Sequence, residues 1–534
     1  MAARISMISL LFFISITTSS LFTLTLSKSG SINWWCDKTP HPRPCKFFMP
    51  SRYHHRPPKH QTDFRTLILK VAMDRAKLAH QHVLAFKPRC ETHRQKSAWQ
   101  DCHGLYDSTI LQLNRTLQGL NNGTAGVNCT AFDAQTWVSS ALTNIQTCEA
   151  GSNELNVSRF ISPLNQYNVS EMISNALAVN AALLENDTNF GTESSNDFPD
   201  WVTGHERRLL ASSSLASRAN IVVAKDGSSR YSTIQSAINV AARRTSTTSK
   251  FIIYVKRGIY RENIDVANNV NNVVLVGDGM KYTIVSSGRS VKGGYTTYNS
   301  ATAGINGMRF MARDITFSNT AGPSKGQAVA LRSASDLSVF YRCAIQGYQD
   351  SLMVHSQRQF YRECYIYGTI DFIFGNAAAV FQNCMIYVRK PLWGQVNVVT
   401  AQGRNDPNQN TGIAVHNSRI MAANDLKPVV ASYKTYLGRP WQAYSRVVVM
   451  KSYLDTLIDP TGWLAWEKSN FAQSTLYYAE YKNIGPRSAT NLRVRWTGFK
   501  VITSPTSAAR FTVGSFIAGG AWLPATGVPY ASGL

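Results

Sequence analysis

Between Phe340 and Cys384 the sequence comes close to repeating itself. Phe340-Tyr-Arg-Cys343 is followed by Phe360-Tyr-Arg-Glu-Cys364 and Phe381-Gln-Asn-Cys384, so a cysteine returns after 21 and then 20 residues. The runs between are short and β-rich, with no helical pattern. A period near twenty of this texture fits a parallel β-helix, in which each turn of a solenoid stacks on the last. Successive coils lie about 4.8 Å apart, so residues one period apart become neighbours. Asp350 and Asp371 are 21 residues apart. The repeat therefore predicts two carboxyls side by side on adjacent coils, and that pair is the candidate active site.

The rest of the chain has a different texture. Its 534 residues leave room for two or three units. Residues 62–190 read as helical: segments 63–86, 98–120, 132–149 and 169–184 carry apolar residues at roughly helical spacing, which suggests a bundle. Residues 187–219 are polar, Ser-rich and aperiodic, as in a linker. Inside it, Arg207-Arg208-Leu209-Leu210 reads either as a protease site or as a solvated basic patch. From Ile221 onward, Val/Ile/Phe/Tyr runs alternate with Gly, Asn and Ser, as many short strands would, and residues 233–241 resemble a helix capping the solenoid.

Residues 1–4 precede an uncharged, largely apolar run over 5–26, a secretory signal or signal anchor. Six N-x-S/T sequons agree with export: Asn114, Asn122, Asn128, Asn156, Asn168 and Asn186, all ahead of residue 190. In an oxidising compartment most of the nine cysteines should pair, and the odd number leaves at least one thiol over. The net charge is +24; from residue 211 onward, 35 Lys and Arg stand against 15 Asp and Glu, an excess of 20. Such a surface favours polyanions. The basic residues are scattered and no nucleic-acid motif is present, so anionic lipid, an acidic polysaccharide or a partnerless basic surface fits better than nucleic acid.

Several chemistries drop out. Gly322-Pro-Ser324-Lys-Gly326 has the spacing of a nucleophile elbow, but a strand-like run follows it where a helix is needed. Only His355 and His416 lie in the C-terminal part, too few for a Ser–His pair or a zinc site, and no metal or cofactor is expected. Carboxylate chemistry remains. Gln327, Gln349, Asp350 and Asp371 form a ladder at coil spacing. Two apposed carboxyls do not readily ionise together, which supplies an acid beside a nucleophile or base. Gln amides can donate to an oxyanion. The competing reading is a purely structural ladder of stacked polar side chains. Trp441 and Trp463, 22 apart, suggest a stacking platform for sugar rings, against a core role for either.

Four segments carry a resemblance: GQAVALR (326–332), GYQDSL (347–352), GTIDFIFGN (368–376) and LGRPW (437–441). In this order and spacing they resemble the plant pectinesterases, the pectin methylesterases of the cell wall, from about residue 218 to the C-terminus. Tyr348 and Ser351 stand where the family is expected to have Phe and Thr. Upstream, CDKTPHPRPC (36–45), DCHGLYDSTILQLN (101–114) and DAQTWVSSALTNIQTC (133–148) are similar to the pectinesterase-inhibitor domain that many such enzymes carry as a pro-region, and the Arg207–Leu210 motif resembles its cleavage site.

The resemblance implies an all-β catalytic domain over 218–534, a right-handed parallel β-helix. Ahead of it would stand a signal segment over 1–29, an all-α four-helix-bundle inhibitor-like domain over 30–190 and a linker over 191–217. It implies hydrolysis of the C6 methyl esters of homogalacturonan by a secreted cell-wall enzyme, with Asp371 as nucleophile, Asp350 as proton donor and Gln349 as transition-state stabiliser. Arg439 would orient Asp371 and keep it ionised, and Thr297, Gln327, Arg439 and Trp441 would contact substrate. Expected disulfides are Cys36–Cys45, Cys102–Cys148 and Cys364–Cys384, with Cys90, Cys129 and Cys343 open. The implied partners are methylesterified pectin, a subtilisin-like processing protease and proteinaceous pectinesterase inhibitors, and the processed enzyme is expected to be a monomer. The inhibitor-like part would block the site, aid folding or hold the protein in the Golgi. Two other readings stay open: a pectin depolymerase on the same fold, and a non-catalytic wall protein working through its inhibitor-like part.

Overall fold

A computed structural model describes residues 30–121, 129–185 and 215–534. The proposed signal segment, the Arg207–Leu210 motif, Asn122, Asn128 and Asn186 lie outside these residues. The N-terminal part is helical, as expected. Two short helices, Ile32–Asp37 and Pro42–Phe48, are tied by a Cys36–Cys45 disulfide. Four long helices follow: Gln61–Phe86, His93–Leu120, Ala131–Glu154 and Val169–Glu185. The second and third begin with reciprocal capping boxes, Thr92 with Gln95 and Thr130 with Asp133, which satisfy orphan backbone N–H groups. Their apolar faces meet in one core, where Cys102–Cys148 joins the second helix to the third.

From Ile221 the chain winds into a parallel β-helix of three sheets with 11, 7 and 8 strands, every pair parallel. A helix, Ile234–Ala242, buries Ile234, Ala237, Ile238 and Ala241 in the same core, close to the predicted cap. The repeat follows from the turn between the first and third sheets. One residue per coil there takes a left-handed backbone: Arg342 (φ 48°), Glu363 (φ 54°), Asn383 (φ 57°) and Asn417 (φ 48°). The next residue points inward, giving the ladder Cys343, Cys364, Cys384 and Ser418, all buried. Before the turn, Phe340, Tyr361 and Phe381 are in register and stack at 4.9 and 4.6 Å. Tyr361, not Phe360, is the coil partner of Phe340, because the extra Glu363 shifts the motif by one. Phe360 faces outward, under the C-terminal helical segment with Phe511 and Phe516.

The expected Cys364–Cys384 disulfide is absent: both are buried free thiols, as is Cys343. Their side chains descend in parallel from equivalent positions of adjacent coils. Each thiol donates to a backbone carbonyl, Cys364 to Phe340 at 3.2 Å and Cys384 to Tyr361 at 3.4 Å. Cys90 and Cys129 are also free. Of the described sequons, Asn156 is exposed, whereas Asn114 and Asn168 are half-buried.

The bundle docks on the β-helix through its third helix. Trp137 Nε1 donates to Asp336 at 2.9 Å, and Arg358 spans Asp336 (2.9 and 2.8 Å) and Asp133 (2.7 Å). Ser140 meets Ser356 at 3.0 Å, and Asn376 donates to Thr143 at 2.9 Å. Asp336 and Arg358 are almost wholly buried, so each needs the other to offset lost hydration.

Candidate active site

Strands Leu331–Ser333, Leu352–Val354 and Ile373–Gly375 are consecutive rungs of the seven-stranded sheet, and Leu352 pairs with Ile373. Asp350 and Asp371 each sit two residues before those partners, so the 21-residue spacing puts them at equivalent positions of adjacent coils. Both have left-handed backbones, φ 61° and 51°, which non-glycine residues seldom adopt and which cluster at functional sites. Their side chains line a cavity of about 670 Å3 together with Gln327, Gln349, Arg439 and Trp441. Gln327 falls one residue off the strict ladder, since Ala328 is the one whose N–H reaches Gln349 O, yet its side chain still lines the cavity.

Arg439 grips Asp371 through two parallel hydrogen bonds, Nε to Oδ1 at 2.8 Å and Nη2 to Oδ2 at 2.5 Å. Burial pushes the Asp350 carboxyl well above the usual carboxylate range. The Asp371 and Glu154 charges add to this and Arg439 opposes it. The Arg439 guanidinium alone would lower the Asp371 pKa, as expected from the sequence. Burial outweighs the guanidinium, so Asp371 is raised as well, with Arg439 pulling it back. Because Arg439 pairs with one acid alone, the shared proton belongs on Asp350 and the charge on Asp371.

The two tryptophans of the expected platform do not share one face. Trp463 is 1% exposed and belongs to the solenoid core, its ring tilted against Tyr478 at 4.3 Å with Nε1 donating to Glu480 at 3.3 Å. Gly438 bridges to Trp463, so the coil step here is 25 residues, not 22. The residue one step beyond Trp441 is therefore Trp466, which lines the cavity and carries Arg439 over its ring at 4.5 Å. The signal was present in the sequence, but a constant period hid it.

The cavity is closed on one side by the third bundle helix, which contributes Thr143, Gln146, Thr147, Ala150, Asn153 and Glu154. Thr147 hydrogen-bonds His355 Nε2 at 2.9 Å, and burial lowers the His355 pKa to about 3, so that imidazole is neutral. Thr297 lines the same cavity and is engaged by Glu154.

Residues 220–520 match the family model described as Pectinesterase, and residues 30–179 match the one described as Plant invertase/pectin methylesterase inhibitor. An Arabidopsis thaliana protein named "Probable pectinesterase/pectinesterase inhibitor 33" is 58% identical over 517 residues, covering 95% of this chain and 87% of its own. "Pectinesterase 2" of Citrus sinensis is 50% identical over 518 residues, covering 96% of this chain and 98% of its own. Among solved structures, a pectin methylesterase from carrot is 56% identical with a TM-score of 0.57; the match covers 59% of this chain and 98% of the carrot chain. That share is close to the length of the β-helix part.

Proposed function

The chain belongs to the pectinesterase family, and from that premise we propose that its β-helix hydrolyses the C6 methyl esters of cell-wall homogalacturonan through an aspartyl acyl-enzyme. The observation that carries the reading is the Arg439-clasped Asp371 one coil from a carboxyl raised by burial. Asp371 attacks the ester carbonyl, forming a carbon–oxygen bond, and the negative charge moves to the carbonyl oxygen. Gln349 and Gln327 offer amide N–H groups to that oxyanion. Asp350 gives its proton to the departing methanol, leaving an anhydride between Asp371 and the uronate. Water then attacks the acyl carbon, Asp350 takes its proton, and Asp371 leaves as a carboxylate. Arg439 contributes by keeping the nucleophile ionised in a cavity that would otherwise protonate it. Trp441 and Trp466 offer ring faces to the sugars flanking the ester.

The bundle occupies the cleft, and this supports an autoinhibitory role that ends when a protease cuts near Arg207–Leu210 in the secretory pathway or wall. The excess of basic residues in the β-helix part suits retention on an anionic polymer, which salt weakens. Incubation with highly methylated pectin tests the function: methanol should accumulate without new reducing ends. New reducing ends without methanol would establish a depolymerase instead.

A further inference from the structure

Each of the three sheets of the solenoid turns one face outward, and the faces differ in what covers them. The eleven-stranded sheet lies under the C-terminal helical segment, and the seven-stranded sheet carries the cleft. The outer face of the eight-stranded sheet is open. Its strands Tyr365–Gly368, Met385–Val388, Arg419–Ala422 and Tyr453–Leu454 are successive rungs. Tyr365, Met385, Arg419 and Tyr453 fall in one register column, and Tyr367, Tyr387 and Met421 in the other. The alternate residues Ile366, Ile386 and Ile420 point into the core, so both columns face outward. Tyr365 is 36% exposed, Arg419 is exposed and the others are half-buried. Tyr387 lies nearly parallel to Tyr367 at 4.9 Å and to Tyr365 at 6.2 Å. One coil before Tyr365 the register position holds only Ala344, which leaves that flank of the ring clear. The carboxylates bordering the face are already engaged: Glu363 by Arg362 at 3.1 Å, Asp425 by Arg389 at 3.4 Å and Asp455 by the Thr456 N–H at 2.8 Å. Arg419, over the Tyr453 ring at 4.4 Å, has no ion-pair partner among the described residues.

We propose that this face is a second binding surface, separate from the cleft, for a strand of uronic acid polysaccharide. None of its side chains lines the catalytic cavity. Each sugar of such a strand offers apolar C–H faces and a carboxylate. The tyrosines suit the first, since each has an apolar ring with a polar tip. The unpaired Arg419 guanidinium suits the second, because its planar fork matches a carboxylate. Coils repeat about every 4.8 Å, a step comparable with one sugar unit, so a strand lying along the solenoid axis meets an aromatic or basic side chain on each of these rungs. A second copy of the chain is a poor occupant, because each carries a net charge of +24 and like charges repel. The consequence goes beyond the esterase reading. The bundle fills the cleft and leaves this face open, so the uncut chain already holds de-esterified polymer before any processing. Every ester removed nearby adds a carboxylate for the same surface.

The test uses the full chain, whose cleft is already occupied. Its retardation in gels containing polygalacturonate, or polyacrylate with the charge but no sugar rings, gives a dissociation constant for each polymer. Arg419→Gln should weaken polygalacturonate binding about tenfold, as loss of a charge-assisted contact does. Arg243→Gln, which removes the same charge from an exposed position just past the capping helix, should change it by less than about twofold. Tyr365→Ala combined with Tyr387→Ala should weaken polygalacturonate about tenfold and polyacrylate by less than about twofold. Equal losses from Arg243→Gln and Arg419→Gln would mean diffuse charge alone and overturn the proposal. Wild-type affinity in the double tyrosine variant, or an equal loss on both polymers, also overturns it. A dimer dispersed by Tyr365→Ala, with polygalacturonate binding intact, gives the face to a second copy and is equally fatal. Should the double variant not fold, the two arginine variants decide alone. Failure of the esterase reading has a separate signature, no methanol from methylated pectin, which these binding measurements do not involve.

Discussion

At the scale of single residues, Arg439 sets which of the two acids is charged. Its two bonds to Asp371 counter the burial that raises both carboxyls. Arg439→Gln removes the opposing charge, so the Asp371 pKa climbs further. In the proposed mechanism Asp371 attacks as a carboxylate, so the acid limb of the pH–rate profile should move to higher pH, and kcat should fall roughly 10²-fold. An unshifted acid limb would show that another group holds Asp371 ionised. The tryptophans divide the same way. Trp466→Ala should raise KM with little loss of stability, whereas Trp463→Phe should lower stability by roughly 1–3 kcal/mol and leave KM alone, measured by denaturant unfolding and initial rates. Asp350 and Asp371 were readable in the sequence because a 21-residue step matches the local coil length. Trp466 was not, because the coil step varies further on, from 27 (Ile373 to Thr400) to 38 (Thr400 to Gly438) and then 25 (Gly438 to Trp463). A period inferred from one stretch of a solenoid holds only while its loops keep their length.

At the scale of elements, the inward ladder of the β-helix explains what the cysteine repeat is for. The returning cysteine is the first inward residue after a left-handed turn, a position that Ser418 and Ser452 fill in later coils. Small side chains fit there, and bridging is not required. Five thiols should therefore react with a thiol reagent when the protein is denatured without reductant; peptide mapping that finds Cys364 and Cys384 both unlabelled would mean that they are bridged after all. The aromatic rungs give the same ladder its bulk. Tyr361 lies fully buried between Phe340 and Phe381, so Tyr361→Ala should cost about 3–5 kcal/mol in equilibrium unfolding, with the cavity term included. The four bundle helices were legible from the helical spacing of their apolar residues. The swap of Phe360 for Tyr361 on the inner face was not, since one extra residue in a turn turns every side chain before it to the opposite face.

At the scale of the whole molecule, the two parts share a buried polar interface whose strength depends on pH. Burial pushes the Asp101 carboxyl up to about 7; Thr296 and Arg332 oppose this and Glu154 adds to it. Glu154 is raised by burial too, against its Thr297 bonds. Acids that hold protons more tightly when docked take up protons on docking. Through these two acids association is strongest in acid and weakens as pH rises from about 4 towards 7, while His355, which burial against Thr147 keeps neutral, acts in the opposite sense below about pH 6.5. Sedimentation of the separated parts at pH 5 and pH 7.5 should show the complex mostly at the lower value, and tighter binding at the higher would reverse the sign. Asp336 does not contribute, because Arg358 and Arg115 outweigh its burial and keep it charged throughout. No sequence pattern announced this interface: its partners, such as Trp137 with Asp336 and Glu154 with Thr297, lie 199 and 143 residues apart and share no motif. The proposed activity depends on the acid pair acting as nucleophile and proton donor. Methanol release from methylated pectin by the separated β-helix and its Asp371→Asn variant is the most direct measurement. A loss of at least about 10³-fold is expected in the variant with an unchanged circular dichroism spectrum; a folded variant that releases methanol at the wild-type rate would contradict these roles.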